Sequence, residues 1–87
     1  APFVFPEMWP LASRLLDGSL VATLAEVAGA IKLMAERNHL IAEGAAAVPV
    51  AAALAGRAGR GRVVCVVTGG NIDSGQLLQA LQGRVPE

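Results

Sequence analysis

VVCVVTGGN, residues 63–71, is the stretch of sequence that decides the predicted fold. Its five leading apolar residues show no polar alternation, which is typical of a strand covered on both faces, as in a parallel sheet between helices. Thr68 stands at the carboxyl end of this predicted strand, and Gly69 and Gly70 follow it at once. Open α/β sheets bind ligands at that end of their strands. The sequence therefore predicts a buried strand that leads into a ligand-binding turn.

A helix is predicted to begin at Leu24, upstream of the strand. Thr23 and Glu26 have the T-x-x-E spacing of a capping box, in which each side chain accepts a hydrogen bond from the other residue's backbone N–H. Apolar residues recur at helical spacing beyond this point, so the helix is expected to end near Asn38.

Two further helices and a second strand complete the predicted elements. Residues 45–55 are apolar on every side, with Pro49 expected in the first turn of a helix, and residues 19–22 are predicted to form a short strand. A last helix is predicted over residues 73–82, with three leucines directed inward: Leu77, Leu78 and Leu81. Alternating helices and strands predict an α/β fold, here a small parallel-sheet fragment with covering helices.

The chain has the size and composition of a single small domain. Its 87 residues are 54% hydrophobic and 16% charged, with a mean hydropathy of +0.54, which is apolar for so small a domain. Residues 1–18 form a proline- and aromatic-rich lead-in with a short helix, and residues 19–87 form the α/β segment. Phe3, Phe5 and Trp9 in the lead-in are predicted either to cover the domain's own core or to dock on another chain.

Charge and cysteine usage exclude several classes of function. Lys plus Arg equals Asp plus Glu at seven each, so no net field favours nucleic acid or an anionic membrane. The longest apolar run, residues 45–55, is too short to span a bilayer. Cys65 is the only cysteine and no leader segment is visible, so a reducing cytoplasm is expected.

Candidate site residues have both functional and structural interpretations. Thr68 can donate a hydrogen bond to a ligand or cap the following turn, and Glu43 can point to the interior or lie in a surface loop. His39, the only histidine, has no partner for a metal site, so no metal is predicted. Cys65 is interpreted as a small buried hydrophobe. Three arginines are interpreted as a solvated turn: Arg57, Arg60 and Arg62.

A phosphate site at the glycine turn is disfavoured by the spacing. The glycines do not form G-x-G-x-x-G and no lysine follows them as in a P-loop. Asp73 would also place a carboxylate near the positive end of the last helix, where it repels an anion.

Two ordered stretches, AERNHLIAEGAAAVPVAAALAG and then GRGRVVCVVTGGNID, resemble one known family. They are similar to the C-terminal part of the catalytic domain in the threonine dehydratase and serine racemase family, the fold type II pyridoxal-phosphate enzymes. WPLASRLLDG and the capped helix at Thr23 also resemble the segment that precedes these motifs. The resemblance therefore covers nearly all of the chain, yet only about the last quarter of such an enzyme. It implies a partial large domain of that fold.

The resemblance implies a pyridoxal 5'-phosphate site in this chain. Thr68 takes the place of the serine whose hydroxyl bonds the pyridine nitrogen, a neutral partner that makes the ring a milder electron sink and suits β-elimination. Gly69 and Gly70 would leave room for the ring edge, and Glu43 with Gly44 would line the cofactor. Two residues depart from the family pattern: Thr68 replaces serine and Ala46 replaces glycine.

No catalytic residue is predicted within the chain itself. The lysine that binds the cofactor and the glycine-rich phosphate loop belong to family regions without a counterpart here, and Lys32, the only lysine, matches neither motif. The expected function is thus the C-terminal portion of a lyase that converts a hydroxy amino acid to a 2-oxo acid and ammonia, inactive as this chain alone. The alternative is a stand-alone oligomeric interaction module from a truncated gene. The expected partners are the remainder of the enzyme or, in a homo-oligomer, the Phe3, Phe5 and Trp9 surface of another copy.

Overall fold

The fold is helical. The computed structural model describes residues 6–85, and within them no residue belongs to a strand. Four α-helices occur in chain order: α1 (Trp9–Leu15), α2 (Leu24–Leu33), α3 (Gly44–Leu54) and α4 (Ser74–Leu81). A π-helical turn, Met34–Asn38, directly continues α2.

The prediction of an α/β fold with a small parallel sheet is therefore wrong. Residues 19–22 and 63–67, the two predicted strands, have no regular secondary structure. None of residues 60–68 makes a backbone–backbone hydrogen bond anywhere between positions 6 and 85. A strand exists only through the N–H and C=O groups of a neighbouring strand, and the described part of the chain supplies none.

The predicted start of α2 is confirmed. The Thr23 hydroxyl accepts a hydrogen bond from the Glu26 N–H at 3.1 Å, and the Glu26 carboxylate accepts one from the Thr23 N–H at 2.8 Å. The two reciprocal bonds satisfy two N–H groups that the first helical turn leaves unpaired. The helix therefore begins at Leu24, as its sequence indicates.

The end of this helical segment is also close to its predicted position. The π-helical turn closes with a hydrogen bond from the Leu40 N–H to the Met34 carbonyl at 3.1 Å. His39 follows the turn in the left-handed region, at φ 57°. The left-handed conformation ends the helix and is uncommon for a residue with a Cβ. The chain reversal therefore imposes this backbone conformation on His39.

Helix α3 begins at Gly44, and Pro49 lies inside it rather than in its first turn, contrary to the prediction. Proline has no N–H, so the Ala45 carbonyl one turn earlier has no helical donor. The helix persists because its alanines pack closely against α2, the most extensive helix contact of the fold.

The core is made mostly of alanine. Small side chains let α2, α3 and α4 approach closely but bury little apolar area each, so the stabilisation per residue is small. Ile31 is the largest side chain that is fully buried. The core residues are Val27, Ala28, Ala30, Ile31, Met34, Ala42, Ala46, Ala47, Ala51, Ala52 and Ala80.

The structure corrects one prediction about apolar side chains, in α4, and shows that Trp9 does not cover the core. Leu77 packs against the core, but Leu78 is 56% exposed and its place is taken by Ala80. Trp9 is 59% exposed, and α1 buries no side chain. Of the predicted contact residues, Phe3 and Phe5 lie outside the described residues. The radius of gyration, 13.9 Å, exceeds the roughly 12 Å expected for a compact chain of this length.

Candidate functional site

The turn that follows residues 63–67 lies against the start of α3. The Glu43 N–H donates to the Gly69 carbonyl at 3.1 Å. Ala42, immediately before Glu43, is completely buried and anchors this segment to the core. Glu43 and Gly44 therefore lie next to the turn that carries Thr68, although 25 positions separate Glu43 from Thr68 in sequence. The structure brings the predicted site residues together.

Neighbouring segments pack closely against both glycines of the turn. A Cβ on Gly70 would lie 2.5 Å from the Ile41 carbonyl oxygen, and a Cβ on Gly69 would lie 2.7 Å from Oε1 of Glu43. Side chains do not reach such distances without displacing their neighbours. Because the Ile41 contact is with backbone, Gly70 is the less replaceable of the two.

The Thr68 hydroxyl does not cap the turn that follows it. Thr68 is exposed, and its hydroxyl makes no hydrogen bond to any residue of the described chain. Asp73 performs the capping, since its Oδ1 accepts a hydrogen bond from the Gly75 N–H at 2.8 Å at the start of α4. The hydroxyl is thus available to an external acceptor, and a carboxylate already occupies the N-terminus of α4.

The Glu43 carboxylate is half-buried beside the turn. Glu43 is the N-cap residue of α3, but its side chain does not bond the helix N–H groups. Its carboxylate faces Gly69, with no ion-pair partner among residues 6–85. It therefore borders the same small surface as the Thr68 hydroxyl.

These residues fit one side of a pyridoxal phosphate molecule. Thr68 offers a neutral donor suited to a ring nitrogen, and the adjacent turn has no side chains at positions 69 and 70. Lys32 belongs to the last turn of α2 and not to this turn, so the site provides no amine for the cofactor's carbonyl carbon. The fit is to the ring and extends to neither the carbonyl nor the phosphate.

An ion pair that the sequence does not reveal ties α2 to the loop after α3. The Arg57 guanidinium donates to Glu26 Oε1 at 2.7 Å, so the capping carboxylate has two partners. The hydrogen bond from Arg57, assisted by the Thr23 N–H, lowers the pKa of Glu26 to about 2. The same contact raises the pKa of Arg57. Of the three arginines predicted to form a solvated turn, Arg57 is exposed and also carries this ion pair.

Cys65 is half-buried rather than enclosed in a sheet. Its Sγ lies 3.6 Å from the Pro49 carbonyl, a weak hydrogen bond that holds residues 63–67 near α3. Across the described residues, no three His, Cys, Asp or Glu side chains cluster as metal ligands. No helix between positions 6 and 85 is long and apolar enough to cross a membrane.

Sequence comparison relates the chain to threonine-degrading lyases. It is 43% identical over 67 residues to the L-threonine ammonia-lyase of Geobacter sulfurreducens, a match that covers 75% of this chain and 17% of the relative. It is 33% identical over 72 residues to the L-threonine dehydratase catabolic TdcB of Staphylococcus aureus, covering 77% of this chain and 21% of the relative. No protein-family model matches, and no solved structure gives a significant match.

These similarities confirm the resemblance to threonine dehydratases that the motifs indicate. Three quarters of the chain takes part in the match to the Geobacter relative, at an identity of 43%. The chain spans only about a fifth of the length of the curated relatives it matches.

Proposed function

Because the chain is homologous to a segment of the threonine ammonia-lyases and dehydratases, we propose that it forms part of a pyridoxal-phosphate-dependent lyase. The reaction is the β-elimination of a hydroxy amino acid to a 2-oxo acid and ammonia. The observation that carries the proposal is the apposition of Glu43 and Gly69, which leaves the Thr68 hydroxyl exposed on the same turn.

Each residue of the turn has a separate task in this proposal. When bound, pyridoxal phosphate supplies an electron sink that labilises the bonds at the α-carbon of the amino acid. The Thr68 hydroxyl donates a hydrogen bond to the ring nitrogen and leaves it uncharged. The hydrogen bond from the Glu43 N–H to the Gly69 carbonyl holds the turn against the start of α3, and Gly70 lets the turn approach Ile41.

The names of the relatives favour elimination over racemisation. The Geobacter relative is named an L-threonine ammonia-lyase and the Staphylococcus relative an L-threonine dehydratase, and both names describe elimination reactions of L-threonine. A neutral donor at the ring nitrogen agrees with this reaction, because elimination needs a weaker electron sink than reactions that must hold negative charge for longer.

We expect the 87-residue chain to have no lyase activity by itself. Lys32 is its only lysine and lies in α2, so nothing beside Thr68 can hold the cofactor covalently. A single hydrogen bond and one partial wall do not offset the entropy lost on association. The proposed partner is the remainder of such an enzyme, which completes the cofactor pocket.

A chimeric enzyme tests the proposal. The matching segment of the Geobacter L-threonine ammonia-lyase is replaced with this chain, and 2-oxobutanoate formation from L-threonine is measured. We expect an active chimera. In the chimera, Thr68→Val keeps the shape of the side chain but removes the donor, and we expect kcat/KM to fall about tenfold or more, the equivalent of one hydrogen bond.

Thr68→Ser is the matched control, because it retains the hydroxyl. The proposal predicts that this variant keeps most of the activity of the chimera. Equal activity in the Thr68→Val and Thr68→Ser chimeras would contradict the role given to the hydroxyl. Lyase activity of the isolated 87-residue chain would contradict its expected inactivity.

A further inference from the structure

The glycine turn, residues 68–71, carries several free hydrogen-bond donors. The N–H groups of Gly69, Gly70 and Asn71 make no hydrogen bond to any described residue. The Thr68 hydroxyl is unbonded as well, within the same part of the chain. Successive free N–H groups beside a hydroxyl are the donors that hold phosphate in many anion sites. The donors alone would therefore favour an anion over an uncharged ring nitrogen.

Glu43 places a carboxylate against these donors. A Cβ on Gly69 would lie 2.7 Å from Oε1 of Glu43, so this oxygen lies directly on the turn. Glu43 occupies the N-cap position of α3, yet its side chain does not bond the helix N–H groups. It also forms no ion pair with a described side chain. The carboxylate therefore has neither a capping nor an ion-pairing role in the fold, and its charge acts on any ligand that approaches the turn.

Asp73 adds a second carboxylate at the other end of the turn. Its Oδ1 accepts a hydrogen bond from the Gly75 N–H at 2.8 Å and caps α4. The Ile72 N–H donates to the Gly70 carbonyl at 2.9 Å, a tight turn that keeps Asp73 close to the free N–H groups. Like Glu43, Asp73 has no ion-pair partner in the described chain. Two negative charges thus border one set of donors.

We propose that Glu43 and Asp73 determine the specificity of the turn, because their charges exclude phosphate and other anions from the donors of residues 68–71. A like charge at a binding site selects against a ligand that would otherwise be complementary. The inference rests on the proposed function for one point, namely that the ligand left for the turn is the uncharged ring nitrogen. In that function the two charges orient the cofactor, since they keep its phosphate away from Thr68.

A phosphate titration of the isotope-labelled full chain tests the exclusion. Inorganic phosphate is added at constant pH and ionic strength, and NMR follows the amide signals of the glycine turn. We expect no saturable shift in the wild-type chain. Glu43→Gln combined with Asp73→Asn removes both charges, and asparagine still caps α4. In this double variant we expect the dissociation constant for phosphate to be at least about tenfold below the wild-type limit.

The single variants and a charge-matched control sharpen the titration. Glu43→Gln should have the larger single effect, because its carboxylate lies on the turn whereas that of Asp73 is already bonded to an N–H group. Glu43 caps no N–H group, so circular dichroism should show unchanged helix content in Glu43→Gln. Glu36→Gln combined with Asp17→Asn makes the same change in net charge outside the turn and should bind phosphate as weakly as the wild-type chain.

Three results would overturn the proposal. One is a wild-type turn that binds phosphate as tightly as the Glu43→Gln, Asp73→Asn variant. Another is a folded double variant that binds phosphate no better than the wild-type chain. The third is an equal gain in the Glu36→Gln, Asp17→Asn control, which would assign the effect to net charge instead of to the turn.

The titration is separate from the chimera test of the lyase proposal. It needs neither cofactor nor turnover, so an inactive chimera would count against the lyase proposal without changing the phosphate result. An active chimera together with a wild-type turn that binds phosphate would keep the lyase proposal and reject the exclusion of anions.

Discussion

Helices α2 and α3 and the stretch 60–68 are all rich in apolar residues, but they differ in what satisfies their backbone hydrogen-bonding groups. Most backbone groups of the two helices are bonded within the same helix, and packing of α2 against α3 covers their alanine faces. The stretch 60–68 makes no backbone–backbone hydrogen bond within residues 6–85, and Val64 is almost fully exposed. Helices are complete as local units, whereas a strand is completed by residues elsewhere.

This difference explains why the described residues are helical although the sequence predicts strands. Elements whose hydrogen bonds are local form, whereas the predicted sheet, whose bonds are not local, does not form within residues 6–85. The candidate site lies at the junction of the two regions, where the Gly69 carbonyl accepts the Glu43 N–H. The position of Thr68 therefore depends on the helical core even though its own strand is absent.

Ile31→Ala should have the largest effect on stability, because it changes the core between the helices. Ile31 is 2% exposed between the helices, so its truncation leaves a cavity and is expected to lower the free energy of unfolding by about 2–5 kcal/mol. Urea unfolding followed by circular dichroism at 222 nm measures the change. Leu24→Ala in the same helix is the control, because Leu24 is 73% exposed and should cost far less. Similar costs would mean that the helices do not close as described.

Gly70→Ala tests the junction between the two regions. The new Cβ would meet the Ile41 carbonyl at 2.5 Å, and we expect a loss of about 1–3 kcal/mol in the free energy of unfolding, as for an overpacked site. Gly18→Ala, where a Cβ meets nothing within 4 Å, is the matched control in the same urea titration. If both variants unfold alike, the turn does not rest on the residues before α3.

Thr23→Ala removes one half of the capping box. The Glu26 N–H loses its acceptor, and we expect a loss of about 1 kcal/mol in thermal or urea unfolding. Thr23→Ser retains the acceptor and should behave like the wild-type chain. A Thr23→Ser variant as unstable as Thr23→Ala would assign the effect to the lost methyl group instead of the cap.

Acid should lower the stability of the helical fold through protonation of Glu26. Its pKa in the fold is about 2, below the ordinary 4.5, so the ionised form stabilises the fold. This contribution is fully present above pH 4.5 and is lost as the pH falls toward 2. We expect a small effect that salt reduces further, because the pair is solvent-accessible.

Glu26→Gln is the control for the pH dependence. It should reduce the fall in melting temperature between pH 5 and pH 2 relative to the wild-type chain. An unchanged acid dependence in Glu26→Gln would show that other carboxylates cause it.

Val64→Thr should have the smallest effect on stability, because residues 63–67 contribute little to the stability of the monomer. Val64 is 91% exposed, so we expect the free energy of unfolding to stay within about 0.5 kcal/mol of the wild-type value. The measurement belongs at a concentration where the chain is monomeric. A loss as large as that of Ile31→Ala would indicate that the strand is buried within the chain after all.

Local signals made the helices predictable from sequence. The Thr23 and Glu26 capping box fixes the start of α2, and Asp73 marks the start of α4. Pro49 was misplaced because its tolerance inside α3 depends on packing against α2, which no local pattern records. The ion pair of Glu26 with Arg57 joins residues 31 positions apart and also leaves no local signal.

The strand prediction failed for a non-local reason. The run 63–67 has the composition of a buried strand, but the described chain contains no strand to pair with it. The proximity of the candidate site residues was predicted, and it rests on backbone contacts of Glu43 and Gly70 with neighbouring segments. The resemblance to known enzymes, and not periodicity, is what linked Glu43 to Thr68 in advance.

Hydrogen exchange of the backbone amides is the most direct test of the difference between the two regions. The measurement is made on the 87-residue chain, diluted until it sediments at 8.9 kDa. We predict that amides in α2 and α3 are protected, whereas those of residues 63–67 exchange at nearly the rate of an unfolded peptide. Protection of residues 63–67 equal to that of α2 in the dilute monomer would contradict the open segment, because it would require a strand partner within the same chain.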